Sequence, residues 1–430
     1  MQYLFLFFII LTAKSHQIPI NMKKILISIA AALLLASCSG NGNGNNQSAK
    51  TNDNAAETSA PKQESKATPA PSATTAADQP TQKGEPNIYV AASTYTNDKD
   101  KKTTIYKNGE TLYTYDGMIS FLFVVGGHVY YGIHPIDDEE SCKVYADGNV
   151  TKLTLGPDRR VWKGEKDVFF DDCTGEVWDQ TGKVVFKYTP DEDGATMIDG
   201  VVQDGDNIFV LMSTGFGSEA SILYKNGTEI ENTTGVTECY GLCCSKGDVY
   251  FRGFGEWQGN SSVPVICKNM KPVLGGFKPE GSFWINGNNG DIYTSEPNEE
   301  YDESDDFTYL NVYKNGKNPK KVKGYPEDGF YMTADGDDVY YWSFAGALDA
   351  YIYKNFVELA PIHYPSKSGE VAYFTSEMKD GHLYAAVVDF SVPNTVTLYK
   401  NSKVLKSYPA HVSQEEGLDA VIAEFCLEIE

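Results

Sequence analysis

The sequence predicts an all-β fold, an eight-bladed β-propeller of four-stranded antiparallel blades, and three observations lead to it. A strand pattern recurs eight times at spacings of 39 to 47 residues. A turn signature related to Tyr-Lys-Asn-Gly accompanies most of the copies. The last residues of the chain supply the one strand that the first copy lacks.

The recurring pattern is a Gly- or Asp-rich turn that leads into a short strand with an aromatic residue at a fixed place. A period of about 40 to 45 residues with several strands per unit is typical of propeller blades. In the second unit, four strands (a to d, from the channel outward) are predicted at residues 120–125, 129–133, 143–145 and 150–153. The eight aromatic residues are Tyr89, Tyr130, Phe169, Phe209, Tyr250, Tyr293, Tyr340 and Tyr384.

The turn signature is intact at residues 106–109, 224–227 and 313–316 and altered in other units. Asn-Gly between two apolar strands favours a two-residue hairpin turn with positive φ at both positions. We therefore interpret Tyr-Lys-Asn-Gly as the end of a strand followed by a turn, and not as a chemical motif. The third unit differs most, because Trp178 is followed there by Asp-Gln-Thr-Gly.

Closure of the ring follows from the two ends of the repeat region. Nothing that resembles an a strand precedes Asn87, whereas residues 419–430 follow the eighth unit and are left over. The C-terminal strand is therefore predicted to complete blade 1, which removes an exposed sheet edge. Seven blades are the alternative, because the third unit is short and atypical.

The N-terminus carries a second signal. From Met22 a basic start leads into an apolar run at residues 25–35 and then into Leu35-Ala36-Ser37-Cys38. This order is that of a secretory signal peptide. We predict a signal peptide over residues 1–37, with Met22 as the true start. An uncleaved membrane helix is the alternative, but this run and the one at residues 4–11 are too short to span a bilayer well.

The segment Leu35-Ala36-Ser37-Cys38 resembles the lipobox of bacterial lipoproteins. This resemblance implies that the Cys38 thiol carries a diacylglycerol and its amine a third acyl chain. Each buried methylene contributes roughly 0.8 kcal/mol, so two or three chains anchor a protein durably. Ser39, in place of Asp, implies by analogy with Gram-negative sorting an outer-membrane lipoprotein that faces the periplasm or the cell surface.

Composition divides the remainder of the chain. Residues 38–84 are predicted to be the lipidated cysteine and a disordered tether, since Asn, Ser, Ala, Thr and Pro dominate there. The propeller is predicted over residues 85–430. Removal of residues 1–37, which hold three lysines and no acidic residue, changes the formal charge from −23 to −26. This charge repels nucleic acid, so no nucleic-acid partner is expected.

The repeats at residues 85–430 resemble those of bacterial envelope propellers with degenerate Tyr/Trp-Lys-Asn-Gly units. The predicted architecture is also similar to that of eight-bladed, lipid-anchored outer-membrane assembly proteins. Repeats of that second group centre on Asp-x-x-Thr-Gly-x-x-x-Trp, which only residues 179–186 approach here. The resemblance implies architecture and is nearly silent on function, because propellers host many unrelated functions.

No familiar catalytic or cofactor motif is present. The sequence lacks His-Glu-x-x-His, the Gly-x-Ser-x-Gly elbow, a phosphate-binding loop and the Asp-box of sialidases. Apart from Cys38 there are seven cysteines, so at least one stays free. The sequence leaves undecided whether a disulfide forms among the cysteines of residues 239–267. We predict no cofactor and no bound metal.

Two segments between the b and c strands stand out as candidate binding loops, because insertions on one face of a repeat protein commonly form its binding surface. Residues 253–263 are glycine-rich, and residues 296–307 are strongly acidic. Two interpretations of Trp257 in the first segment are open: its indole packs against a neighbouring side chain, or it stacks on a bound sugar. Three interpretations of the second segment are open: it is a solvated turn, it binds calcium, or it binds a basic partner. The candidate residues are Phe254, Glu256, Trp257, Tyr301, Asp302, Glu303, Asp305 and Asp306.

The predicted function is that of a non-catalytic envelope lipoprotein whose propeller face binds a protein or glycan partner while the lipid holds it at a membrane. The alternative is a hydrolase or lyase that acts on extracytoplasmic polysaccharide or peptide. An enzyme of that kind requires several inward-facing acids, or a histidine, close together at one end of the channel. A binding module requires only an aromatic and acidic rim.

Overall fold

The structure is a computed structural model that describes residues 85–430, except 98–99, 137–139, 157–158, 191–195, 215–219, 233, 279–281, 299–308, 324–330, 345–347, 367–370 and 415–420. The described residues form β-strands and no helix. Eight four-stranded antiparallel sheets stand in a ring, which confirms the eight-bladed β-propeller. The predicted signal peptide, Cys38 and the tether lie outside the described residues.

The first half of the ring holds blades 1 to 4, apart from the closing strand, and its strands have three to ten residues. They are β1 (Ile88–Asn97), β2 (Asp100–Lys107), β3 (Glu110–Asp116), β4 (Met118–Val125), β5 (His128–His134), β6 (Cys142–Ala146), β7 (Asn149–Leu155), β8 (Arg160–Lys163), β9 (Val168–Asp171), β10 (Glu176–Asp179), β11 (Val184–Lys187), β12 (Met197–Asp204), β13 (Asn207–Thr214), β14 (Ala220–Lys225) and β15 (Thr228–Ile230).

The second half contains the longest hairpins and the C-terminal strand. Its strands are β16 (Thr237–Ser245), β17 (Asp248–Trp257), β18 (Asn260–Lys268), β19 (Lys271–Gly275), β20 (Phe283–Ile285), β21 (Ile292–Pro297), β22 (Tyr309–Lys314), β23 (Lys317–Lys323), β24 (Tyr331–Asp335), β25 (Asp338–Phe344), β26 (Asp349–Lys354), β27 (Val357–Glu358), β28 (Ile362–His363), β29 (Val371–Lys379), β30 (His382–Asp389), β31 (Thr395–Lys400), β32 (Lys403–Pro409), β33 (Val412–Gln414), β34 (Val421–Ala423) and β35 (Phe425–Ile429).

Blades 2 to 8 each use consecutive strands, starting with β4, β8, β12, β16, β20, β24 and β29 at the channel. Blade 3 is complete, although each of its strands has only four residues. This excludes the seven-bladed alternative. In blade 7, β27 and β28 both pair with β26, and β33 and β34 form a separate two-stranded sheet.

Blade 1 has the strand order β3-β2-β1-β35, so the C-terminal strand is its innermost strand, as predicted. The pairing of β35 with β1 runs from Ile88 opposite Ile429 to Ala92 opposite Phe425. Beyond it, the backbones of Asn87 and Glu430 exchange hydrogen bonds of 3.0 and 2.9 Å. The Phe425 side chain is buried in an apolar cluster shared by blades 1 and 8. The seam that joins the two ends of the propeller is therefore packed like any other blade interface.

The turn signature joins strands b, c and d, as blade 6 illustrates. Asn315 has a φ of 50°, and its Oδ1 accepts the backbone N–H of Ile292 at 2.8 Å. Its Nδ2 donates to Asp291 at 2.8 Å. The preceding Lys314 lies 2.7 Å from Asp291 and 5.8 Å from the ring centroid of Tyr293. The equivalent side-chain acceptors are Asn108, Asp147, Gln180, Asn226, Asn269, Asn355 and Asn401.

The core lies between the blades, because each sheet buries both faces against its neighbours. Between blades 3 and 4, for example, Phe169 and Val177 pack with Ile198, Val210 and Met212. Interior strands of this kind contain nearly continuous apolar runs, with polar residues confined to the turns. The blades therefore form a rigid frame on which the inner strands and the b–c turns are displayed.

Candidate functional site on the b–c face and in the channel

The innermost strands all run in the same direction along the channel. Each starts at the face that carries the b–c connections, here called the b–c face. In blades 2 to 8 it ends at an a–b turn at the opposite face, whereas β35 of blade 1 ends there beside the start of β1. Residues early in an inner strand therefore lie near the b–c face, and residues late in it lie near the a–b face.

The first candidate loop is not a loop. Strand β17 continues through Trp257 and β18 starts at Asn260, so only Gln258 and Gly259 form the turn. Both have positive φ, 52° and 84°, as a two-residue hairpin turn requires. The prediction of an irregular loop was wrong because the glycines within residues 253–257 are strand residues that make room for neighbouring side chains.

Trp257 lies at the tip of this hairpin and is half-buried. A Cβ added to Gly275 would come within 2.6 Å of Trp257 Cγ, so the indole lies directly on the backbone of the outer strand. Phe254 is also half-buried, whereas Glu256 is exposed. Trp257 therefore packs against the outer strand of its own blade.

The second candidate segment lies between β21 and β22. The candidate binding residues of this segment lie outside the described residues. They are Tyr301, Asp302, Glu303, Asp305 and Asp306. Cys38 also lies outside the described residues.

Three aromatic side chains that the sequence analysis did not single out are exposed in the b–c half of the ring. Tyr240 is 44% exposed on the inner strand of blade 5, and Tyr331 is 37% exposed at the start of the inner strand of blade 7. Phe390 is 38% exposed in the b–c turn of blade 8. Several exposed aliphatic residues lie instead on outer strands, namely Leu112, Val150, Val273, Val357 and Val404.

Tyr240 is held outward by a bulged strand and a buried cation. The pairing of β16 with β17 is irregular on both sides of Tyr240, and Glu238 has a φ of 50°. Arg252, only 4% exposed, lies 5.5 Å from the centroid of the Tyr240 ring and 5.2 Å from that of Phe277. A guanidinium stacked between two rings fixes the position of both. Bulges of this kind re-aim a side chain, often beside a functional site.

Tyr331 has similar support. Its ring stacks on Trp342 with 5.6 Å between centroids and meets Phe344 edge-on at 6.1 Å. The Trp342 indole in turn donates to Ser376 of blade 8 at 2.9 Å. The exposed face of Tyr331 is therefore presented from a rigid aromatic stack.

Two adjacent arginines lie where the chain enters blade 3, near the same end of the channel. Arg159 donates to Ser120 of blade 2 at 3.2 Å, and Arg160 donates to the backbone carbonyl of Ile198 of blade 4. Asp199, beside that carbonyl, accepts from Ser213 at 3.2 Å, but its Oδ2 is buried without a hydrogen-bond partner among the described residues. Burial raises the pKa of Asp199 to about 6, against the opposing effects of Ser213 and Arg160.

A different cluster lies near the a–b face. Lys163 of blade 3 reaches across blade 2 to Glu428 of β35, with 2.5 Å between Nζ and Oε2. Glu377 of blade 8 is the neighbouring carboxylate. Burial, reinforced by Glu428, raises the pKa of Glu377 to about 7, and burial also raises the pKa of Glu428.

These inner-strand residues carried signals that the sequence analysis did not use. The whole chain has only three arginines (Arg159, Arg160 and Arg252) among its 36 basic residues, and Arg159 and Arg160 lie where the chain enters the inner strand of blade 3. Glu428 and Glu377 pair with Tyr89 and Tyr384 of the repeated aromatic positions. The repeat register therefore places both on inner strands, although it does not bring them together.

The seven cysteines of the described chain are free thiols in this structure, so the disulfide left open by the sequence is not formed. Cys243 and Cys244 lie on opposite faces of their strand, since one packs toward blade 6 and the other toward blade 4. Burial raises the thiol pKa of Cys239 to about 12, so this thiol is neutral. These cysteines serve as small apolar side chains.

Within the described ranges, no group of three or more His, Cys, Asp or Glu side chains is arranged to hold a metal ion. The same part of the chain has no helix that is long and apolar enough to cross a bilayer.

Neither a protein-family model nor a curated protein matches this chain. Among solved structures, it is similar to apo AztD from Citrobacter koseri, with 8% identity and a TM-score of 0.47 over 80% of this chain and 99% of that one. It is similar to a Mycobacterium tuberculosis puromycin-hydrolyzing peptidase, with 12% identity and a TM-score of 0.40 over 68% and 52%. Saccharomyces cerevisiae Sqt1 matches with 11% identity and a TM-score of 0.41 over 73% and 95%. At these values the likenesses carry no argument about activity or ligand.

Proposed function

We propose that this chain is a non-catalytic lipoprotein of the cell envelope that presents the b–c face of its propeller to a protein or glycan partner. The lipobox that ends in Cys38 supports lipid anchoring, and Ser39 supports a place in the outer membrane. Residues 39–84 would then act as a tether between the lipid and the ring.

The observation that carries the binding proposal is the placement of Tyr240, Tyr331 and Phe390. All three are exposed and lie in the b–c half of the ring. Aromatic side chains supply a large contact area at little conformational cost, and they dominate recognition of proteins and stack on sugar rings. Tyr240 and Tyr331 also rest on fixed supports, so little entropy is lost when a ligand covers them.

The hydrolase or lyase alternative has one observation in its favour, the partly buried carboxylates of Glu377 and Glu428. A carboxyl with a pKa of about 7 suits a general acid. The backbone N–H of Ile429 and that of Val124 donate to these two carboxylates, and Lys163 pairs with one of them. Since strand contacts already account for this pair, the binding proposal is the better supported.

A pull-down with lipidated protein from detergent-solubilised envelope, run beside a glycan array, tests the binding proposal. The variant Tyr240→Ala/Tyr331→Ala/Phe390→Ala removes the three aromatic side chains. The matched control, Leu112→Ala/Val150→Ala/Val404→Ala, removes exposed apolar side chains from outer strands. We expect the ligand of the wild type to be retained by the control and lost by the aromatic variant. Equal binding by the aromatic variant, with its fold intact, would contradict the proposal.

A further inference from the structure

A cleft of about 430 Å³ lies beside blade 8, next to the first described residues of the propeller. Glu85, Pro86 and Ile88 border it on one side, and residues of strands β30 to β32 border it on the other. Strand β30 begins at the a–b face and the turn between β31 and β32 lies there, so the cleft is at that face. It is thus separate from the exposed aromatic residues of the b–c half. Its volume is within the range of small-molecule pockets.

Two lysines lie opposite each other in the hairpin beside the cleft. Lys400 and Lys403 are direct partners in the pairing of β31 with β32, and both line the cleft. Like charges at directly opposite positions destabilise a pair of strands. An anion close to both lysines is therefore stabilising.

Blades 5 and 6 contain the same pair of opposite lysines, but together with an aspartate. The lysine pairs are Lys268 with Lys271 and Lys314 with Lys317. The aspartate before strand b lies next to the first lysine of each pair, at 2.6 Å in blade 5 (Asp248) and 2.7 Å in blade 6 (Asp291). Each of these two hairpins therefore has a counter-ion from its own blade.

Blade 8 keeps both lysines and replaces the aspartate by His382. Asn401 Oδ1 accepts the backbone N–H of Leu383 at 2.9 Å, so its Nδ2 donates to His382 Nδ1 at 3.0 Å. An imidazole that accepts at Nδ1 carries its proton on Nε2 and offers a donor there. No form of an imidazole in this role is an anion, so the described residues of blade 8 provide no counter-ion for Lys400.

The counter-ion of Lys400 comes instead from Glu85, the first described residue. The distance from Lys400 Nζ to Glu85 Oε1 is 3.4 Å, which is longer than in blades 5 and 6. The Glu85 side chain is 91% exposed, whereas that of Lys400 is only 21% exposed. An exposed carboxylate at this distance is a weak partner. Another carboxylate can therefore take its place at little cost.

This combination sets blade 8 apart from the other blades that lack the aspartate. Asn87 and Asn207 stand at the same position in blades 1 and 4. The second lysine is absent there, since Glu110 lies opposite Lys107 and Thr228 lies opposite Lys225. Two opposite lysines without an aspartate, beside a cleft, occur together in blade 8.

The lining of the cleft suits a small organic anion. Ile88 and Leu405 supply apolar surface, and the charged side chains are two lysines and Glu85, which leaves one positive charge in excess. Apolar walls with a few polar groups are typical of small-molecule sites.

We propose that this cleft binds a small organic carboxylate, whose carboxylate group takes the place of Glu85 against Lys400 and whose apolar part lies on Ile88 and Leu405. Lys403 supplies a second positive charge, and His382 supplies an N–H donor. Glu85 acts as an internal competitor for the site. The inference does not depend on the proposed function.

Titration of the full mature chain with hexanoate, followed by ligand-observed NMR at constant ionic strength, tests the site. Hexanamide is the matched probe, because it has the same chain without the charge. We expect hexanoate to bind saturably and hexanamide to bind on the order of tenfold more weakly, since a hydrogen bond to a charged group is lost. Glu85→Gln removes the competitor and should tighten hexanoate binding about two- to fivefold.

Two variants of blade 8 locate the site. Lys400→Met removes the cation, and His382→Asp restores the aspartate of blades 5 and 6, so both should lose hexanoate binding. Lys314→Met, the equivalent change in blade 6, is the control and should bind as the wild type does. His382→Asp keeps an acceptor for Asn401, so its melting temperature should be no lower than that of the wild type.

Two results would overturn the proposal. The first is no saturable binding of hexanoate by folded Glu85→Gln, in which the competitor is absent. The second is equal affinity of Lys400→Met and the wild type for hexanoate, which would place the probe elsewhere on the protein.

Discussion

Gln180 Oε1 accepts the backbone N–H of Val168 at 3.0 Å, the bond that an asparagine of the turn makes in most other blades. The amide of Gln180 also donates to Asp167 at 2.7 Å, as the asparagines donate to the residue before strand b. A longer side chain at the same register position as Asn315 thus preserves the connection in the unit whose sequence departs most from the repeat. The blade depends on this connection more than on the letters of the motif.

The turn asparagines should contribute measurably to stability. Asn315→Gly keeps the left-handed backbone and loses both side-chain bonds, so we expect a loss of about 1 kcal/mol. Asn315→Ala also places a Cβ-bearing residue without local side-chain bonds at a φ of 50°, which costs about another 1 kcal/mol. Urea denaturation of the two variants tests the order. Equal stability of the alanine variant and the wild type would show that the turn is not held in this way.

Because β35 closes the ring, removing a single buried side chain from this strand should lower the free energy of unfolding strongly. Phe425 is 4% exposed, and Phe425→Ala should reduce the free energy of unfolding by about 3 to 5 kcal/mol. Phe390→Ala, at an exposed position, is the control and should change it by less than about 1 kcal/mol. Thermal unfolding measures both variants. Similar small effects would mean that the C-terminal strand does not complete the ring.

Replacing Asp199 by a neutral residue should increase the stability of the protein, and the increase should depend on pH. Its folded pKa is raised to about 6 from an ordinary value of 3.8, so stability falls as the pH rises through that range. Asp199→Asn should therefore be more stable than the wild type at pH 8, by about 1 kcal/mol after solvent screening is allowed for. The advantage should vanish near pH 4. Melting temperatures at both pH values decide, and an advantage that is independent of pH would point to a different cause.

If Cys38 carries the lipid, replacing its sulfur atom should release the protein from the membrane. Cys38→Ser removes the site of lipidation, and with it an attachment of roughly 0.8 kcal/mol per buried methylene. We expect the variant to leave the membrane fraction and the wild type to remain in it. Intact mass of the native protein is the complementary measurement: an acylated chain that starts at Cys38 agrees with the proposal, and any residue before Cys38 contradicts it.

The sequence predicted the architecture well because a propeller repeats its local rules. The aromatic spacing located the eight blades, the residue pair Asn-Gly located the turns, and the unused residues 419–430 identified the closing strand. Trp257 shows the limit of that reasoning. The residue type and the glycines around it indicated an exposed loop, but the packing partner at Gly275 comes from the outer strand and is not visible in the local pattern.

The side-chain clusters near the channel could not be predicted from the sequence for a related reason. Lys163 and Glu428 are 265 residues apart in the chain, and they meet only because the closing strand returns to the first blade. The exposure of Tyr240 depends on an irregular pairing in β16 that no repeat rule predicts. The blade frame is thus encoded locally, whereas what faces the channel depends on how the eight units meet.

Site-specific photo-crosslinking tests the proposed binding face most directly. A photoreactive aromatic residue is placed at Phe390 on the b–c face or, as the control, at Val150, which is 61% exposed on an outer strand. In lipidated protein within intact envelope, we expect a discrete adduct from position 390 and none from position 150. Adducts from position 150 alone would place the partner on the outer rim of the ring and contradict the proposal.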